Sequence, residues 1–281
     1  MGLFVAACVV ASITVGGNFV NEWPELAPTS LGVQDSEPPA TDPTPVDAAN
    51  LPKPVDLFER YIKVIGGREK MKEITSRRID GRYIGRPFTF PARLTIWQEM
   101  PNKFHLKIQQ PAGETIEIGF DGEIGWERQP GIGLRLVEGQ RLIELRDSSD
   151  FWGEVNYESK YLDMQTLGQF KFGDETAIGV HVKAVSGREK VLVFSRDSGL
   201  YLGTRTLTVH PETGKPEQFE TVLKAYQDVG GVLTTMGQIQ RFKDDPKATE
   251  FDYVKVQVNL EEKHDFTVPP ELKAKIERKT D

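Results

Sequence analysis

Two periods of apolar residues divide the chain. From Asp56 onward, Leu57, Tyr61 and Ile65, flanked by Phe58 and Ile62, recur at the i, i+4 spacing of an amphipathic helix. Asp56 and Glu59 have the spacing of a capping box, in which each side chain satisfies a free N–H at the helix start. Gly66-Gly67 then supplies a left-handed stop, and a short further turn runs through Met71 and Ile74. Beyond it the period falls to two. Phe104, Leu106 and Ile108 alternate with Lys103, His105 and Lys107; Ile116, Ile118 and Phe120 alternate with Thr115, Glu117 and Gly119. Ile178, Val180 and Val182 repeat the pattern, and Phe219, Thr221 and Leu223 do so less cleanly. Such alternation marks antiparallel strands with one covered face. Turn signals separate them at Asp121-Gly122, Ser186-Gly187, Asp197-Ser198-Gly199, Glu212-Thr213-Gly214 and Gly230-Gly231. One polar helical patch, Glu138 to Arg146, interrupts the strands before Phe151 and Trp152. No βαβ rhythm is present, so the expected class is mainly β (α+β), a long meander with a few helices against it.

Residues 1–54 follow neither period. No charged side chain occurs between Met1 and Asn21, and Leu3 to Val15 is almost wholly apolar. A span of ~20 apolar residues can cross a bilayer and ~7–15 suffice for a secretory signal, so residues 1–22 are expected to be a signal or membrane anchor. Trp23 stands where an interfacial aromatic would. Val5-Ala6-Ala7-Cys8 also has the form of a lipobox, which makes lipidation at Cys8 a competing reading. Residues 23–54 hold Pro28, Pro38, Pro39, Pro43, Pro45, Pro52 and Pro54 among small and polar residues. That composition predicts an extended linker reaching up to roughly 90 Å, a stalk between the anchor and a domain spanning 55–281.

Composition narrows the chemistry. The 281 residues carry a formal charge of −7, against a nucleic-acid partner, which would ask for a basic surface. The single cysteine excludes an intrachain disulfide, and four scattered histidines (His105, His181, His210, His264) lack zinc-ligand spacing. No metal and no cofactor is expected. No nucleophile elbow, P-loop or complete dinucleotide fingerprint occurs. Trp126 near Asp121 and Glu123 has the ingredients of a carbohydrate site, but Asp121-Gly122 is better read as a turn. Glu114 and Glu117, three apart, would point to opposite faces of a strand. Catalysis is not expected.

Several stretches resemble a known family. FERYIKVIGGREKMKEITSRRIDGRY (58–83) looks like the opening helix, double glycine and first strand of outer-membrane lipoprotein-sorting proteins, the LolA/LolB/LppX-like superfamily. GFDGEIGWERQPG (119–131), FSRDSGLYLGTRT (194–206) and KAYQDVGGVLTTMGQIQRF (224–242) resemble later hairpins of that family, and HDFTVPPEL (264–272) resembles its ending. The resemblance implies a large curved antiparallel sheet, an unclosed half-barrel with helices covering the concave face, able to hold lipid or the acyl chains of lipoproteins. It implies a periplasmic place in the bacterial envelope. The apolar strand positions Leu94, Ile96, Phe104, Leu106, Ile108, Ile116, Ile118 and Trp126 are the candidate cavity wall, with ordinary core packing as the alternative role. If the anchor is retained, a fixed acceptor, local lipid handler or sensor is expected rather than a long-range carrier. A tethered envelope scaffold with a filled core is the competing function.

Overall fold

A computed structural model describes residues 51–273 apart from 89, 112, 244 and 246. The calls for an anchor, for Cys8 and for most of the proline-rich linker lie outside the described residues. No helix among the described residues is long and apolar enough to cross a membrane.

Helix α1 (Pro54–Val64) and helix α2 (Gly67–Lys72) open the fold. The expected capping box at Asp56 does not form: the helix starts three residues earlier, with Lys53 as N-cap and no side-chain cap. Pro54 explains the shift, because its fixed φ suits the first helical turn, where its missing N–H costs nothing. Glu59 turns instead to Arg68 and accepts a hydrogen bond from the Tyr157 hydroxyl at 2.9 Å. The expected stripe Leu57, Phe58, Tyr61, Ile62 and Ile65 is buried throughout, and Gly66 ends the helix at φ 125°.

The strands form one antiparallel sheet of 13 that does not close. A first meander contains β1 (Ser76–Ile84), β2 (Ala92–Glu99), β3 (Lys103–Gln109), β4 (Thr115–Phe120), β5 (Gly125–Gln129) and β6 (Gly133–Val137). Helices α3 (Gly139–Ser149) and α4 (Tyr157–Lys160) follow. A second meander runs through β7 (Tyr161–Phe172), β8 (Glu175–Ala184), β9 (Glu189–Ser195), β10 (Tyr201–Val209) and β11 (Pro216–Leu223). After a separate hairpin, β12 (Tyr226–Val229) with β13 (Val232–Thr235), the chain returns as β14 (Gly237–Phe242) and β15 (Thr249–Val258). These last two strands join the meanders, since β15 pairs with β1 and β14 with β11. The edges are β6 and β7.

Cross-strand register sorts side chains onto two faces. Leu94, Ile108 and Ile116 form one row, and Ile96, Leu106 and Ile118 the next. This inner face continues across β8 and β9 with Ile178, Val180, Leu192 and Phe194. Helix α1 and the segment 151–161 cover that second half, whereas Leu142 and Leu145 of α3 pack over the first. Among the described residues the two largest apolar clusters lie on this face, and two smaller ones, Phe170–Phe172–Ala177–Val193 and Trp126–Val268–Leu272, lie on the other. Each fully buried large aliphatic or aromatic side chain contributes about 1.5–3 kcal/mol.

Candidate binding site

Seven of the eight expected cavity residues come together on the inner face. Leu94, Ile96, Phe104, Leu106, Ile108, Ile116 and Ile118 belong to a single cluster, and none is more than 3% exposed. They pack against Val137, Leu142 and Leu145. Gly125 makes that seat possible, because a Cβ there would stand 2.7 Å from a Leu145 methyl group. An ion-pair set anchors the cover: Glu127, 1% exposed, takes Arg135 at 2.6 Å and also Arg141 of α3.

Trp126 does not join them. It faces Gly119, where a Cβ would stand 2.3 Å from the indole, and so lies on the outer face with Trp97 and His105. There it packs with Val268 and Leu272 of the C-terminal segment. His264 of the same segment stacks on Trp97 with centroids 4.2 Å apart, and its Nε2 lies 2.8 Å from His105 Nδ1. Burial, then the neighbouring His264, pushes the His105 imidazole down to about 3, and burial lowers His264 too. A groove of about 410 Å³ beside this stack is lined by residues including Trp97, Met100, Leu260, Lys263, His264 and Phe266.

Polar residues are buried among the apolar clusters as well. Arg77 on β1 is 2% exposed, under the rings of Phe151 and Trp152. Burial brings its guanidinium down to about 10, still a cation at neutral pH. Glu154 is buried beside Lys190 at 3.0 Å and Lys160 at 3.8 Å. Burial alone would raise its carboxyl, but the two ammonium groups and the Tyr161 hydroxyl outweigh this and hold it at about 2. Gln238, Gln240 and Thr221 are also buried, on the central strands between the two apolar clusters. Parity gave a signal for Arg77: it alternates with Ile79, Gly81 and Tyr83 on β1, two residues from a buried neighbour.

No protein-family model matches the chain, and no curated protein matches it. Solved structures do. A DUF1329 family protein from Desulfovibrio piger superposes with a TM-score of 0.50 at 9% identity, covering 74% of this chain and 94% of that one. The fold is shared. A domain named for outer-membrane lipoprotein sorting, from Vibrio parahaemolyticus, is similar at 0.49 and 10% identity, over 74% of this chain and 95% of its own. A LolA superfamily protein from Nitrosomonas europaea follows at 0.46 and 14%, over 75% and 96%.

Proposed function

We propose that this protein binds lipid, or the acyl chains of lipoproteins, beneath the helical cover of its inner face, without catalysis, on the periplasmic side of the bacterial envelope. The observation that carries this reading is the architecture. An unclosed sheet buries a broad apolar face, and over its first half helix α3 seats chiefly against β4 and β5. When such a cover lifts, the exposed surface costs about 25 cal/mol per Å² unless hydrocarbon replaces it. An acyl chain supplies that replacement, with no directional chemistry required. The expected membrane contact through residues 1–22 would keep the domain near its ligand, and the expected linker would give it reach. Ligand-wall roles fall to Leu94, Ile96, Phe104, Leu106, Ile108, Ile116 and Ile118.

A tethered envelope scaffold is the second reading, favoured by the near-complete burial of those seven residues. Native mass spectrometry with lipid extraction, on the full chain purified from a bacterial envelope, separates the two. Lipid or acylated protein at near one-to-one supports the binding reading. A clean apo mass that persists after incubation with phospholipid vesicles leaves the scaffold.

A further inference from the structure

Three buried hydrogen-bond donors gather under the cover without acceptors. Arg77 Nη1 donates to Gln98 Oε1 at 3.3 Å, yet its Nε is buried with no partner. Phe151 and Trp152 cap the guanidinium, with ring centroids 4.5 and 5.2 Å from its central carbon. The indole N–H of Trp152 is itself buried and unpartnered, and so is the hydroxyl of Tyr253. Tyr253, like Tyr61, lies within electrostatic reach of the Arg77 guanidinium. A buried cation is ordinarily paired with an anion, and buried donors ordinarily find acceptors. Three exceptions in one place, all able to donate and one of them charged, describe a complement to a group with several acceptor oxygens and negative charge. Arg77 neighbours both apolar clusters: Ile79 and Tyr253 belong to one, Phe151 and Trp152 to the other.

We propose that Arg77, Trp152 and Tyr253 form an interior subsite for the anionic head of an amphiphile, a carboxylate or a phosphate monoester, whose hydrocarbon lies against the apolar clusters. This rests on the lipid-binding reading and specifies its ligand class. Entry requires Phe151 and Trp152 to lift from the guanidinium. One tie that must break is the hydrogen bond from the Phe151 N–H to the Pro101 carbonyl, 3.0 Å long.

The test uses the delipidated full chain with cis-parinaric acid and its methyl ester, two fluorescent probes that differ in the charged head. Wild type is expected to bind the acid about tenfold more tightly than the ester. Arg77→Met should remove that preference by weakening the acid about tenfold, with the ester unchanged. Trp152→Phe and Tyr253→Phe each delete one donor and keep the ring, and should weaken the acid alone by a few-fold. These conservative variants, with the wild-type ratio, decide the matter if Arg77→Met fails to fold by circular dichroism. Competition by laurate and by dodecyl phosphate assigns the head: the stronger competitor identifies carboxylate or phosphate. Equal binding of acid and ester by wild type and variants overturns the anion subsite and leaves lipid binding standing. Failure of both probes to bind overturns lipid binding and the subsite with it.

Discussion

Gly119 and Trp126 face each other across β4 and β5, and their pairing decides what the outer surface carries. The indole occupies the space a side chain at 119 would fill, so Gly119→Ala would force the Trp126 ring or the strand to move. Overpacking of this kind costs about 1–3 kcal/mol. The urea midpoint of Gly119→Ala should drop accordingly, with a change in tryptophan fluorescence as Val268 and Leu272 lose their platform. An unchanged midpoint would mean that the ring has room to spare. The same pair explains why Trp126 was expected on the wrong side. Alternation assigns faces within one strand, whereas the relation between β4 and β5 depends on the turn between them. The glycine facing the tryptophan is the signal that register turns into a face.

Helix α3 is the element on which the proposed function turns. Its apolar contribution is narrow: Leu145 is fully buried and Leu142 partly so, while Ser148 and Ser149 are buried polar residues. Hydrogen exchange on the full chain should therefore find the α3 amides opening well before those of β1 to β3, which sit in the middle of the ladder. Leu145→Ala should widen that gap and lower global stability by about 2–5 kcal/mol. Protection in α3 equal to that of β2 would argue against a movable cover. At this scale much was legible. The α1 stripe, the double-glycine stop, the polar helix after Glu138 and four strands were written in periodicity, because each reports a local face. The order of the sheet was not: β15 pairs with β1 across more than half the chain, and no local period encodes such a contact. The burial of Arg77 and Glu127 was hidden for a related reason: a charged residue in a strand ordinarily marks the solvent face, and only the long-range packing brought by the fold buries these two. Glu154 lies in the turn segment between α3 and α4, which follows no period.

For the whole molecule, acid sensitivity follows from groups buried in one protonation state. The His105 imidazole is held at about 3 against an ordinary 6.5, so the unfolded chain takes up its proton first. The stability linked to it is complete above pH 6.5 and is lost as pH falls toward 3. His264 shifts in the same direction. Glu154, at about 2 against 4.5, adds a second loss that begins below pH 4.5. Urea midpoints should thus decline between pH 7 and 5 and more steeply below 4.5, while imidazole NMR finds His105 still neutral at pH 5. A flat midpoint from pH 7.5 to 5, or a His105 titration near 6.5, would refute the account.

The open seam between β6 and β7 has a consequence for capacity. A closed barrel has a circumference fixed by its ring of backbone hydrogen bonds, so its lumen admits one size of guest. Here the two margins share no ladder bond. Flattening or tightening the sheet would rupture no strand pairing. Under the proposed binding role, guests of different girth would then be a matter of graded apolar repacking rather than of breaking and remaking the frame.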